Sequence, residues 1–253
     1  MFKFYQNAQV EKKSLVQKLK ALHTAKNQRG MTLLEIIIVL GIVGTIAAGV
    51  VVLAQRAFDS RAISEVVNNT NTLRVAMKDA YQRAPGYPVS KGTSGDYDIV
   101  SIKDATNSTE AIARLVQLGK VTTDEALNGI SNDFINIGAG KTAANQGAEP
   151  GTGETPAKGK SGYKEFVVEL NGLNQEQCRS ILIQVGNLWD YAAVGASAPS
   201  GVYTVKTVVD MTVAPTGPVL RSLGTNGNVD LTPDAVAAVC VDAPTNSVIL
   251  GTR

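Results

Sequence analysis

Histidine and cysteine are scarce in this chain of 253 residues, which has one histidine, His23, and two cysteines, Cys178 and Cys240. These side chains are too few for a zinc cluster of His and Cys ligands. A Ser-His-Asp triad would depend on His23 alone. Charged residues make up only 18% of the chain and hydrophobic residues 44%. This composition excludes a disordered, highly charged chain.

The charges are unevenly distributed along the chain. The first 30 residues contain seven Lys or Arg and a single acid, Glu11, whereas the rest contains 17 basic and 21 acidic residues. A basic amino-terminal arm either binds nucleic acid or lies at the cytoplasmic face of a membrane. The sequence that follows the arm distinguishes the two.

An uncharged apolar segment of 19 residues, Ile36–Ala54, follows the basic arm. As a helix it would be about 30 Å long, the thickness of a bilayer's hydrocarbon core. A buried helix of a soluble protein is the alternative, but its apolar stretch is usually shorter. We therefore predict one membrane span with a cytoplasmic amino terminus and no binding of nucleic acid. A junction typical of proteolytic processing, Arg29-Gly30-Met31, precedes the span instead of following it.

Glu35 lies at the start of this apolar helix, where a carboxylate in lipid costs a few kcal/mol unless it is neutralised. One interpretation is that Glu35 reaches the lipid headgroups. The other is that cleavage after Gly30 frees an α-amine on Met31, which pairs with Glu35 in the same chain or in a neighbouring one.

The residues Gly30-Met31-Thr32-Leu33-Leu34-Glu35, followed by an Ile/Val/Leu/Gly helix, resemble the class III signal of type IV pilins. The long leader and the Met at the first mature position resemble the type IVb branch, the major pilins of enteric bacteria. The resemblance is dense to about Gln82 and then patchy. The dense part includes Gln55–Ser60, and the resemblance then reappears in four segments: Tyr87–Pro88, Val116–Lys120, Leu170–Leu173 and Gln177–Cys178.

The resemblance implies a non-enzymatic filament subunit without a cofactor. It implies a cleaved basic leader (1–30), a transmembrane and filament-core helix (31–54) and a periplasmic or extracellular head (55–253). A prepilin peptidase would cleave after Gly30 and methylate Met31, and Glu35 would pair with the Met31 amine of a neighbouring copy.

The further partners implied are an inner-membrane assembly platform with its ATPase, an outer-membrane secretin and a minor pilin. The implied roles of a major type IVb subunit are host adhesion, bacterial aggregation and intestinal colonisation. The alternatives are a minor pilin, a type II secretion pseudopilin, or a single-pass membrane-anchored binding module.

Cys178 and Cys240 stand 62 positions apart. Two free buried thiols would be ordinary in the cytosol. If the head lies outside the cytoplasm, oxidising conditions favour a disulfide, and we predict that Cys178 and Cys240 form one. In the chain-entropy model such a bridge stabilises the fold by about 4 kcal/mol.

Predicted strands gather in the carboxyl half, with helices before and between them, and this order predicts an α+β fold. In it a long amino-terminal helix with a protruding hydrophobic half packs against an antiparallel sheet with additional short helices. An apolar stripe from Ile63 to Tyr81 extends the first helix to about 50 residues. Further helices are predicted at 110–118, after a capping box that begins at Thr122, at 174–185 with Asn174 as its cap, and at 232–239 with Thr232 as its cap and Pro233 at the first position. Strands are predicted at 163–170, 191–194, 202–209 and 248–250.

Two further patterns suggest ligand sites and are interpreted as ordinary structure. Gly138–Thr142 resembles the end of a phosphate-binding loop but lacks the earlier glycine, because Ile135 stands at that position. We predict that 138–162 is a mobile surface loop. Asp96, Asp98 and Asp104 could bind calcium weakly, but a solvated turn is the preferred reading, and no metal site is predicted.

Overall fold

The computed structural model describes residues 32–107, 110–142 and 162–253. The chain divides into two units, Met1–Arg56 and Ala57–Arg253. Helix α1, Leu33–Tyr81, is 49 residues long and continues from the first unit into the second. This length agrees with the predicted helix of about 50 residues.

In the second unit, α1 buries the predicted stripe against the sheet. Its buried residues are Ile63, Val66, Asn69, Thr70, Leu73, Ala76 and Met77. The buried Asn69 amide donates to the carbonyls of Asp124 and Leu127, at 3.3 and 3.4 Å. The helix ends at Tyr81, just before Ala84-Pro85-Gly86, because proline cannot continue the hydrogen-bonding pattern.

Four shorter α-helices lie in the described part of the head: α2 (Ala111–Gln117), α3 (Thr123–Ala126), α4 (Gln175–Val185) and α5 (Pro233–Val239). The predicted caps are confirmed. Thr122 and Asn174 form capping boxes, and Thr232 caps α5 with Pro233 at its first position.

The strands are β1 (Leu127–Asn128), β2 (Asp133–Phe134), β3 (Asn136–Lys141), β4 (Glu165–Leu173), β5 (Tyr191–Gly195), β6 (Val209–Asp210), β7 (Val219–Arg221) and β8 (Asn246–Thr252). The first two form a small hairpin, and the others form a sheet in the order β6-β3-β4-β8-β5-β7. All neighbouring pairs are antiparallel except β3 with β6. The predicted α+β fold is confirmed, with one parallel pair at the sheet edge.

The sheet is buried on both faces. Phe166, Val168 and Leu170 of β4 pack in one cluster with α1, α2 and α4. Val167 points to the opposite face of the sheet. It packs with Val205 and Met211, which belong to the segment that crosses this face. The alternation of side chains along β4 thus contributes to two apolar clusters.

Two sequence predictions were wrong. Residues 138–141 are not a surface loop but part of β3, which is buried from Asn136 to Gly140. A Cβ on Gly138 would lie 2.8 Å from Val205 Cγ1, so glycine lets the crossing segment approach the sheet. Residues 143–161 of the predicted loop lie outside the described residues. In the predicted strand 202–209, only Val209 pairs in a ladder.

Candidate assembly helix and its disulfide-bonded head

Glu35 lies in the first turn of α1, where the sequence predicted an assembly residue. Its backbone N–H donates to Thr32 Oγ1 at 3.2 Å, and the Ile36 N–H donates to the Thr32 carbonyl at 3.2 Å. Thr32 therefore caps the helix. Glu35 lies in the first turn, near the positive end of the helix dipole. Gly30 and Met31 lie outside the described residues, so their predicted cleavage, methylation and pairing with Glu35 remain predictions.

The apolar half of α1 is exposed within the part of the chain that the structure describes. Every large hydrophobic residue from Leu33 to Leu53 is exposed, with fractions ranging from 43% at Ile36 to 76% at Leu33. The helix is long and apolar enough to cross a membrane. So large an apolar surface needs lipid or other protein chains around it.

The polar groups of this segment suit a dry environment. Thr45, its one hydroxyl residue, donates to the Ile42 carbonyl at 2.8 Å. After Glu35 the next charged residue is Arg56, about 30 Å further along a helix. Glu35 therefore has no cation on its own stretch of described helix, and a partner for it must come from elsewhere.

The predicted disulfide between Cys178 and Cys240 is confirmed, with a Cα–Cα distance of 6.0 Å. Both residues are buried. The bridge joins α4 to the end of α5, and Gln175 supports it by donating to the Cys240 carbonyl at 2.9 Å. The carboxyl-terminal helix is therefore fastened to α4, which packs on β8.

Glu169 of β4, which the sequence analysis did not single out, is fully buried. Its Oε1 accepts from the backbone N–H and the hydroxyl of Thr204, at 2.7 and 2.6 Å. Its Oε2 accepts from the Val205 N–H at 2.9 Å and from Asn136 Nδ2 at 3.1 Å. The N–H groups of Thr204 and Val205 thus donate to this carboxylate and are not available to pair with a neighbouring strand. The predicted strand does not form there for this reason.

We expect Glu169→Gln to lower the free energy of unfolding by about 2–3 kcal/mol, because the new NH2 group faces donors that then lack an acceptor. Urea unfolding of the purified chain in detergent measures this. Glu176→Gln, at an exposed position of α4, is the matched control and should change stability little. Equal stability of the two variants would show that the Glu169 bonds do not hold the segment.

Asp96, Asp98 and Asp104 were considered as calcium ligands, and the carboxylates of Asp98 and Asp104 instead form turns. Asp98 Oδ1 accepts from the N–H groups of Ser101 and Val100, at 2.6 and 2.8 Å, and these bonds lower the pKa of Asp98. Asp104 accepts from the Thr106 N–H at 2.9 Å, which lowers the pKa of Asp104. Within the described ranges, no three acidic, His or Cys side chains are grouped so as to hold a metal ion.

The phosphate-loop resemblance at Gly138–Thr142 falls on a paired strand. Gly138 aligns with Val167 and Gly140 with Glu165 in the antiparallel ladder between β3 and β4. A phosphate-binding loop needs backbone N–H groups that converge on the ligand, and a strand inside a sheet does not present them that way. The motif is therefore structural.

The described chain thus combines a helix with an exposed apolar half and a head that holds a disulfide. Residues 25–51 match the prokaryotic N-terminal methylation motif. Over 181 residues the chain is 35% identical to a toxin coregulated pilin of Vibrio cholerae. The matched region covers 70% of this chain and 67% of that protein. For the toxin coregulated pilin of Vibrio cholerae serotype O1 the identity is 34% over 183 residues, with coverage of 71% and 68%.

A solved structure shares the fold. The crystal structure of TcpA, a type IV pilin from the Vibrio cholerae El Tor biotype, matches with a TM-score of 0.55 and 20% identity, covering 76% of this chain and 99% of that one. The chain therefore belongs to the type IV pilins, in their type IVb branch.

Proposed function

We propose that this chain is the major structural subunit of its type IVb pilus, with a mechanical role and no catalytic one. The observation that carries the proposal is the uncovered apolar helix with its single carboxylate, Glu35. Bundling of such helices buries the apolar surface of many copies in a filament core.

Before assembly the precursor spans the inner membrane through 31–54, with its basic leader in the cytoplasm and its head, 55–253, on the other side. A prepilin peptidase cleaves after Gly30 and methylates the new Met31 amine. An assembly platform with its ATPase, a secretin and a minor pilin then act on the subunit. The matched methylation motif supports the processing step.

Glu35 then sets the register of each incoming subunit. In the dry filament core its carboxylate pairs with the Met31 amine of a neighbour, because no other cation lies near it along the helix. A misplaced copy would leave a buried charge unpaired, at a cost of several kcal/mol. The pair therefore selects one docking position.

The assembled pilus serves host adhesion, bacterial aggregation and intestinal colonisation. The identity to a toxin coregulated pilin over most of the chain supports this role. A minor pilin or a secretion pseudopilin is the alternative. The amount of this chain in sheared surface filaments distinguishes them, because a major subunit would be the predominant protein there and a minor one a trace component.

Replacing Gly30 tests the processing route. We expect Gly30→Val to leave an uncleaved precursor in the inner membrane and no filaments, since a branched side chain would obstruct the peptidase. Immunoblots of membrane and sheared fractions measure this, with Asn27→Ala in the leader as the control that is processed normally. Surface filaments built from an uncleaved Gly30→Val chain would contradict the proposal.

A further inference from the structure

The turn after α1 meets the start of β4 in a corner of the head that backbone contacts hold in place. The Tyr87 N–H donates to the Tyr163 carbonyl at 2.8 Å. A Cβ on Gly86 would lie 2.7 Å from the Gly162 Cα, so only glycine lets the two backbones approach this closely. The surface of this corner is therefore fixed before any partner binds, which lowers the entropic cost of binding.

The corner carries three exposed cations and two half-buried tyrosine rings, and we call it the basic corner: Lys78, Tyr81, Arg83, Tyr87 and Lys164. The Lys164 ammonium donates to the Pro85 carbonyl at 2.9 Å, which places its charge beside the turn that contains Arg83. The centres of the Tyr81 and Tyr87 rings lie 5.8 Å apart. Cationic and aromatic groups thus share one small surface.

The charge of the basic corner is not balanced by ion pairs. Within the described ranges, no salt bridge joins any of its three cations to an acid. The two acids next to it in sequence have other partners. Asp79 pairs with Lys120 at 2.6 Å, and the buried Glu165 accepts from the Thr142 hydroxyl at 3.0 Å. The chain after residue 30 has 17 basic and 21 acidic residues, so the corner is a basic exception on an acidic protein.

The chemistry of the basic corner fits a short sulfated saccharide. The anionic oxygens of sulfate esters accept charge-assisted hydrogen bonds from lysine and arginine, as carboxylate and phosphate oxygens do. A sugar ring has apolar C–H faces that pack on aromatic rings, and a tyrosine ring offers an apolar face together with a polar hydroxyl. The corner therefore matches both the charge and the ring of such a ligand.

Two other anionic partners fit the basic corner less well. Duplex nucleic acid carries one charge per about 1.7 Å of its axis and would extend from the corner over the acidic remainder of the head. A lipid surface is bound by apolar side chains that insert into it. The described residues 76–98 and 162–169 expose no large hydrophobic side chain.

We propose that the basic corner binds sulfated oligosaccharides. The proposal rests on the adhesive role proposed above and names the chemical class of its ligand. Each subunit contributes one corner, so a filament presents many copies of it. Linked weak sites raise the overall avidity by about 10²–10⁴-fold. A filament should therefore bind firmly to a sulfated surface on which a single subunit binds weakly.

Retention of sheared filaments on immobilised saccharides tests the proposal. The probes are a heparin octasaccharide, an unsulfated maltooctaose of the same length and a single-stranded oligonucleotide of eight nucleotides. Filament amounts are matched by electron microscopy and total protein before loading. We expect wild-type filaments to be retained by the heparin octasaccharide alone at low salt and to be released at high salt, because salt screens exposed charges.

A pair of substitutions locates the binding. We expect Arg83→Gln combined with Lys164→Gln to lower retention about tenfold or more, because two of the three cations are lost in every copy. The matched control, Lys103→Gln combined with Lys206→Gln, removes the same charge from exposed positions on other segments of the head. Its filaments should be retained like the wild type.

The possible results separate this proposal from the function of the pilus. Equal retention of the two variants would overturn the proposal, as would retention of wild-type filaments on the oligonucleotide as strong as on the octasaccharide. Wild-type filaments that are visible by electron microscopy but ignore the sulfated probe would overturn it while leaving pilus assembly intact. A corner variant that forms no filaments would place these residues in assembly and would also overturn it.

Discussion

Replacing Glu35 with alanine is expected to leave a processed, membrane-inserted subunit that forms few or no filaments. Removal of one partner of a buried ion pair costs about 3–5 kcal/mol, which weakens docking of each copy about a hundredfold or more. The head should be unaffected, because its described contacts begin in the second unit of the chain, after Arg56. Filament yield from a strain that lacks the wild-type copy measures the effect.

The matched control is Glu65→Ala, at an exposed position of the same helix, which should form filaments normally. Normal piliation by the Glu35 variant would show that the pairing is dispensable. Rapid degradation of that variant would show that Glu35 is needed for folding or insertion instead of assembly.

Removal of the disulfide should have the largest effect on the stability of the head. We expect Cys178→Ser combined with Cys240→Ser to lose about 4 kcal/mol, because the unfolded chain regains the entropy of a long closed loop. In addition, α5 would keep only the packing of Val236 in the core and polar contacts such as the Arg179 bond to the Ala237 carbonyl at 3.0 Å. Urea unfolding of the purified chain measures the loss.

Reduction of the wild-type bridge is the control, since it breaks the same link without changing the sequence. Wild-type protein without reductant should show no free thiol under denaturing conditions. If the double variant unfolded at the same urea concentration as the oxidised protein, the bridge would not be what holds α5 in place.

The parts of the fold that the sequence predicts are those determined by local pattern. The stripe along α1 follows from apolar spacing, and the capping box at Thr122 and the cap at Asn174 follow from residues within one helical turn. The Cys178–Cys240 pairing follows from there being only two cysteines. None of these inferences needs knowledge of distant contacts.

The missed parts depend on distant contacts. The glycines of β3 indicate a loop locally, and only the close crossing of Val205 and Met211 explains why a strand needs them there. Glu169 gives no sequence signal for its role, because its four donors come from Asn136, Thr204 and Val205. The segment 202–208 has strand-like residues, but the N–H groups of Thr204 and Val205 donate to the Glu169 carboxylate instead of to a neighbouring strand.

The mass of the subunit in surface filaments tests the central claim most directly. Filaments are sheared from cells, and the intact mass and amino-terminal peptide of their main protein are measured without reduction. The account predicts a chain that begins at Met31, carries one methyl group on its amine and retains the Cys178–Cys240 bond. A chain that still carries the leader, or the absence of this protein from surface filaments, would contradict it.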